Sequence, residues 1–509
     1  MLLLNKINIR ANSFLLFSLL SALAFLLRYS IAFQDISYLD RLFIPDDTYY
    51  ILNISRSIAA GLGPTTDGIH LTSGFQPLFC FLEVPFFWLG FNNDNALVAA
   101  IYLSAFWGGL STFVLGYLLK LINGISAAVI GSFLWIFCPI ILKNDLNGME
   151  TSLAGFLSLL VLLIVILIDK KSTVPGLFCL GLVCGLALLA RIDTCFLLLV
   201  IGVFALVRWG FYRTLLFVSV AFLVVIPWWF YAFKTFGTIV PESGSAIKEF
   251  ITFTHKTQQF FSVASLYALI EWFPLFREAF YTAFLGILLT FYFVGRGAYR
   301  AGIYGYIVVL PLFLGLAFYT FYFPAYWYLT RYFYFIYAVI LICISLVIAA
   351  ENRPKVRLVY FGFLALVLGA YLIALIPFYA KPENTSIPVL NSLKGYREIV
   401  LAINKHLNPG DVVGAFQSGA LGYYAPQSVR VINLDGVVNG EAAKALKAVS
   451  MKSYVDSEQM NRFADWEYNA YFFQLVYGGI FPAGCFNTLY RAKKQGSQNF
   501  VLRNYRLKC

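Results

Sequence analysis

Over the first 380 residues, apolar positions fall into long unbroken blocks, without the short alternation of a half-buried strand or the single stripe of a surface helix. The first block, about 12–33, follows Lys6 and Arg10. It is too long for a signal-peptide core and lacks a small-residue cleavage site, so it reads as a retained span with its N-terminus inside. Further blocks occupy 75–90, 95–119, 122–142, 151–168, 175–190, 193–207, 214–233, 280–295, 302–320, 331–349 and 357–379. A bilayer crossing needs roughly 20 such residues.

Short basic connectors at 169–171, 208–213, 296–300 and 353–357 are each separated from the next by two apolar blocks. They therefore share one face, which the positive-inside rule makes the cytoplasmic one. Residues 144–150, 191–193, 234–279, 323–331 and everything after about 380 then lie outside. Loop 34–74 is outside too, so an even number of crossings must separate it from Glu150, yet three blocks intervene. Block 75–90 is short and carries Pro77, Glu83 and Pro85, which fits a re-entrant segment; 95–119 or 122–142 as a half-helix would serve equally. The expected total is about 11 spans.

Beyond about 380 the character changes. Residues 381–509 hold 15 Lys/Arg and 9 Asp/Glu, a helical pattern at 391–406, a turn at Asn408-Pro-Gly-Asp411 and strand-like runs at 412–416 and 429–434. This predicts two domains: a transmembrane domain over 1–380 and a small extracytoplasmic α/β domain over 381–509. Cys485 and Cys509 fall in the second and either pair in an oxidising compartment or stay free. No internal repeat is evident, which counts against a repeat-built secondary transporter.

Composition narrows the function. Residues are 60% hydrophobic and 12% charged, against about 25% charged in soluble domains. A soluble, disordered or nucleic-acid-binding protein is excluded, and the net charge of +12 belongs to cytoplasmic loops. The most informative segment is the first outer loop, with Asp46-Asp47-Thr-Tyr-Tyr50 and His70-Leu-Thr-Ser-Gly-Phe-Gln-Pro77. Adjacent carboxylates repel, so one can hold its proton and serve as a general base, or the pair can hold a divalent cation. They also suit the start of a helix over 49–60. Glu150, at the mouth of another span, is a third acid on the same face, with helix capping as its plainer reading. Arg191, Lys248 and Arg331 lie outside against the positive-inside bias and suit a lipid phosphate; pairing with Asp193 or snorkelling would also account for them. His70 is a candidate to bind substrate through a hydrogen bond, and three His in the chain speak against zinc.

At these residues the chain resembles the polytopic GT-C glycosyltransferases that use polyprenyl-phosphate sugars, a group that includes protein O-mannosyltransferases, lipid A aminoarabinose transferases and arabinofuranosyltransferases. The resemblance rests on the acidic pair, the Thr-Ser-Gly-Phe-Gln-Pro-Leu entry at 72–78, and Gly148-Met-Glu-Thr151. It continues with Arg191-Ile-Asp193, where Ile replaces the usual Pro, and the loop 241–248, with Glu242 where Asn is usual. In the tail it includes Ser418-Gly-Ala-Leu-Gly-Tyr-Tyr424 and Val431-Ile-Asn-Leu-Asp435-Gly-Val-Val-Asn439. It implies a GT-C fold and inverting transfer of a sugar from a polyprenyl-phosphate donor to a glycan, lipid or protein hydroxyl. Asp46 would take the acceptor's proton. Asp47 and Glu150 would orient the acceptor, or hold Mg²⁺ or Mn²⁺ with Asp46 if the reaction needs metal. Lys248 and Arg331, with Arg191, would offset charge on the leaving phosphate. The expected location is the bacterial inner membrane, with the site on the outer side. A polytopic transporter or lipid-linked-sugar flippase is the alternative, and a non-catalytic scaffold a third reading.

Overall fold

The computed structural model describes residues 2–257, 264–277, 280–325, 329–379, 395–482, 484–492 and 499–506. Its N-terminal part is helical: α1 (Leu2–Ala32), α2 (Ile36–Leu42), α3 (Asp46–Ala59), α4 (Pro77–Trp88), α5 (Asn93–Phe137), α6 (Pro139–Asp145), α7 (Thr151–Ile168), α8 (Val174–Ala190) and α9 (Cys195–Trp209) come first. They are followed by α10 (Phe211–Phe236), α11 (Glu242–Thr257), α12 (Ala264–Leu269), α13 (Phe280–Ala301), α14 (Ile303–Ala317), α15 (Leu329–Tyr332), α16 (Tyr334–Ala349) and α17 (Pro354–Leu375). Among the described residues eight helices are long and apolar enough to cross a membrane, and α4, α8 and α16 are shorter apolar helices.

Helix length bears on the uneven count between loop 34–74 and Glu150. The 12 residues of α4 rise only about 18 Å, well short of a hydrocarbon core of about 30 Å. α5 is broken at Asn123 and Gly124 (φ 85°) into two arms, the second carried on by α6. A short α4 and two apolar arms of α5 fit the even count that the sequence requires. Within this bundle Arg28 of α1 and Asp145 at the end of α6 form an ion pair at 2.6 Å with both side chains wholly buried, and the Tyr334 hydroxyl donates to the same carboxylate. A charge inside a membrane domain survives when paired. This pair fixes where α6 ends, and so where the turn leading to Glu150 emerges.

The C-terminal part is a five-stranded sheet, β1 (Val412–Ala415), β2 (Arg430–Asn433), β3 (Arg462–Trp466), β4 (Phe486–Ala492) and β5 (Phe500–Tyr505), in the order β2-β1-β3-β5-β4. β1 runs parallel to β2 and β3, while β5 runs antiparallel to β3 and β4. Five helices surround it: α18 (Tyr396–Asn404), α19 (Gly419–Tyr424), α20 (Gly440–Lys447), α21 (Met451–Ser457) and α22 (Glu467–Val476). The polytopic helical fold with a small C-terminal α/β domain is therefore the one the sequence leads to. The two parts share an apolar core in which Leu39, Tyr49, Leu52 and Ile101 belong with Ile399, Val413, Leu421 and Tyr423. Cys485 is disulfide-bonded; Cys509 lies outside the described residues.

Candidate active site

Pro45, in extended conformation, starts α3 and leaves Asp46 and Asp47 in its first turn, where the helix dipole favours anions. A helix turns about 100° per residue, so the two acids diverge. Asp46 faces the C-terminal domain: its Oδ2 accepts from the Gly419 amide at 2.9 Å and its Oδ1 from the Ala420 amide at 2.8 Å. Burial pushes its carboxyl up to about 7, against those two amides, with the Asp47 charge adding to the rise. A side chain on Gly419 would put Cβ 2.2 Å from the Asp46 carbonyl oxygen. One turn on, the Tyr50 hydroxyl accepts from the Ser418 amide (2.9 Å) and Asn433 Nδ2 (3.0 Å). These partners follow the C-terminal ends of β1 and β2. Open α/β sheets bind ligands beyond the carboxyl ends of their strands; here a carboxylate from the helical part docks there. Asp46 is an anchor between the two parts and does not line the cavity described next. Both oxygens of Asp46, where the resemblance places the proton-accepting role, already accept amide hydrogen bonds away from that cavity.

Asp47 lines a cavity of about 600 Å³, as do Glu150, Arg191, Lys248 and Arg331. Five of the seven residues singled out in the sequence thus converge from α3, the turn before α7, the turn after α8, α11 and α15. Arg331 NH2 pairs with Asp47 Oδ2 at 2.7 Å, and its NH1 meets Met149 Sδ at 3.0 Å. Arg191 NH1 pairs with Glu150 Oε1 at 2.9 Å, while its Nε and NH2 grip both oxygens of Asp193 (3.1 and 2.9 Å). The Tyr332 ring lies under both guanidiniums, 5.1 Å from Arg191 and 5.7 Å from Arg331. Lys248 makes no ion pair among the described residues. It bonds the Tyr322 hydroxyl and sits 3.8 Å from the centre of that ring.

Local sequence explains the convergence. Gly148 has φ +66°, and a Cβ there would stand 2.9 Å from Thr48 Cγ2. The close turn lets Thr48 Oγ1 donate to the Asn147 carbonyl (2.7 Å), bringing Glu150 beside α3. Glu242, the departure from the usual Asn, accepts from Thr72 Oγ1 at 2.9 Å and the Ser73 amide at 3.0 Å. It ties the start of α11, and with it Lys248, to the loop entering α4.

His70 is elsewhere. Its Nδ1 meets Asp67 Oδ2 at 2.6 Å and its Nε2 lies 3.4 Å from Glu458 Oε1, so it joins the first loop to the C-terminal domain and does not face the cavity. The bond to Asp67 chiefly raises its pKa. The metal set does not assemble either. Asp46 is held by amides, Asp47 and Glu150 are each held by an arginine, and no group of three His, Cys, Asp or Glu side chains among the described residues suits a metal ion.

Tyr322 and Tyr332 also line the cavity without having been singled out in the sequence, where the signal for Tyr332 is its place directly after Arg331. Asp435 had no assigned role either. That residue lies in the loop after β2 whose Val437 lines the cavity, and its Oδ1 accepts from the Val437 amide at 2.9 Å. Burial, with Asp47 and Asp46 adding, pushes its carboxyl up to about 8.

A family model described as a domain of unknown function, DUF8728, matches residues 390–497. No curated protein matches the chain. Among solved structures, ArnT from Cupriavidus metallidurans, in the apo state and bound to undecaprenyl phosphate, is similar with a TM-score of 0.57 at 14% identity, over 96% of this chain and 97% of that one. The oligosaccharyltransferase AglB from Archaeoglobus fulgidus, in complex with an inhibitory peptide and a dolichol-phosphate, is similar with a TM-score of 0.54 at 13% identity, over 95% of this chain and 74% of that one. At such identities the likeness is one of fold, and the fold of this chain is the GT-C fold that the sequence motifs resemble.

Proposed function

We propose that this protein is a membrane glycosyltransferase that moves a sugar from a polyprenyl-phosphate donor to a hydroxyl of a glycan, lipid or protein at the outer face of a bacterial inner membrane. One observation supports the reading most: one cavity is lined by Asp47, Glu150 and Lys248, which has no ion pair among the described residues, together with Phe196, Phe318, Tyr322 and Phe323. The aromatic walls suit a prenyl chain. The similar ArnT and AglB structures hold undecaprenyl phosphate and a dolichol-phosphate, which points the same way.

In this reading Asp47, not Asp46, takes the proton of the acceptor hydroxyl. The acceptor oxygen forms its bond to C1 of the sugar from the face opposite the phosphate, the C1–O bond to phosphate breaks, and the anomeric centre inverts. The polyprenyl phosphate leaves with the electron pair of that bond. Lys248 meets its growing charge, and Arg331 pairs with the base Asp47. No step runs through a metal.

The test uses the full chain in nanodiscs with a labelled polyprenyl-phosphate sugar. Loss of a positioned general base costs typically 10²–10⁴-fold, so Asp47→Asn should cut transfer by at least about 100-fold. Lys248→Ala should lower transfer and raise the KM for donor. Full transfer by Asp47→Asn overturns the base assignment. Movement of the lipid-linked sugar across vesicles with no transfer to any acceptor overturns the enzyme reading in favour of a flippase.

A further inference from the structure

The oxygens of the cavity carboxylates are not equally satisfied. Both Asp193 oxygens are engaged, Oδ1 by Arg191 Nε and Oδ2 by Arg191 NH2 and the Tyr319 hydroxyl at 2.6 Å. Glu150 differs. Its side chain is 3% exposed, Oε1 takes Arg191 NH1, and Oε2 is buried with no hydrogen-bond partner among the described residues. An ionised carboxylate oxygen only accepts, and leaving one unmet in a buried place is costly. Glu150 is among the residues lining the cavity, so a small rotation of its side chain on binding brings Oε2 to a donor on the bound molecule.

Charge gives the second half of the argument. Arg191 is shared by two carboxylates, Glu150 and Asp193, which leaves that corner with an excess negative charge. Asp47 is offset by Arg331, and Lys248 stands apart for phosphate. The corner by Glu150 therefore welcomes O–H or N–H groups and repels a second carboxylate.

We propose that Glu150 Oε2 reads the transferred sugar: it accepts a hydrogen bond from a hydroxyl or amino group of the glycosyl unit, and the enzyme takes neutral or amino sugars and rejects glycuronic acids. This inference rests on the lipid-linked donor reading above and names the sugar class for that site. Glu150 touches substrate here as a specificity residue; bond making is left to Asp47.

Glu150→Gln tests the hydrogen bond. With Arg191 holding the amide oxygen, the side-chain NH2 replaces Oε2, turning an acceptor into a donor at nearly constant shape. Three polyprenyl-phosphate donors are offered to the full chain in nanodiscs: a neutral hexose, an amino sugar and a glycuronic acid. The expected wild-type pattern is turnover of one or both of the first two, with the uronate at least about 100-fold poorer in kcat/KM. Glu150→Gln is expected to narrow that ratio at least about 10-fold, chiefly through KM. Asp193→Asn removes the excess charge while leaving the Glu150–Arg191 pair, and should narrow it too, so the proposal stays testable if the Gln variant misfolds. Which of the first two donors is preferred tells a hydroxyl from an amino partner. Equal use of neutral and acidic sugars by the wild type, or a ratio that neither variant moves, overturns the proposal and leaves the transferase reading intact. Failure of the wild type to transfer or bind any of the three overturns both.

Discussion

Asp47 holds its carboxylate 2.7 Å from Arg331 at the cavity, whereas Asp46, one position earlier, gives both oxygens to amides of the C-terminal domain. Isosteric amides at the two positions should therefore separate chemistry from architecture. Asp47→Asn is expected to lose transfer while unfolding within a few degrees of the wild type. Asp46→Asn places an NH2 against one of the two amide donors. Losing a buried bond of this kind costs about 1–3 kcal/mol, so it should unfold at a lower temperature, with activity falling only as far as docking does. Thermal unfolding and transfer, measured on both variants, decide it; equal loss of stability in the two would remove the distinction. The pair was visible in the sequence because charge is scarce there and these acids stand at the mouth of a span. Which acid faces the cavity was not, because the amide that claims Asp46 lies 373 residues downstream. Lys248 and Arg331 were legible for a similar reason, as cations that the pattern of basic connectors assigns to the side where positive charge is disfavoured. His70, by contrast, shares the acids' loop yet its ring is turned to Asp67 and Glu458.

At the scale of elements, apolar blocks locate the helices well, since burial in lipid acts on composition directly. Composition says less about which block crosses. α4 is an apolar block like those around it, and its 12-residue length and the break of α5 at Asn123 and Gly124 are visible only in the structure. The turn joining α6 to α7 is where element geometry meets the site. Gly148 needs a left-handed backbone, which costs other residues about 1–2 kcal/mol, and its Cα faces Thr48. Gly148→Ala is expected to lower the unfolding temperature and shift Glu150, with a loss of transfer. Adding Thr48→Ser removes the methyl that a Cβ would strike while keeping the hydroxyl that bonds the Asn147 carbonyl. The double variant should recover part of the loss; no recovery would mean that backbone strain alone sets the cost. α11 carries a comparable burden: Ile247 and Lys248 face the cavity while Phe250 packs 5.2 Å from Phe473 of α22.

For the whole molecule, the question is what holds the sheet domain against the helical bundle, because that contact sets α3 and hence Asp47. Apolar packing supplies most of it, and three titratable groups sit on the same seam. Asp46 and Asp435 have carboxyls raised by burial to about 7 and about 8. Between the ordinary carboxylate value of about 4 and those values, the docked form holds a proton that the undocked form has released. Docking therefore weakens as pH climbs through that range and levels off above about 7 for Asp46 and about 8 for Asp435. His70 is raised by its bond to Asp67, with Glu458 adding and Arg430 opposing. Its contribution is complete below the free-histidine value of about 6.5 and disappears as pH rises through the raised one. Asp67 itself is lowered, so its share is lost only on the acid side of the ordinary carboxylate range. All three seam groups thus act in one direction between about pH 6 and 9. Amide exchange in 412–424, corrected for its intrinsic pH dependence, should show protection that falls across that window. His70→Gln should flatten the histidine share, Asp435→Asn the share ending near 8, and Asp46→Asn the share ending near 7. Protection that stays level in the wild type from pH 6 to 9 would show that apolar packing alone governs docking, and that these carboxyls titrate alike whether docked or free.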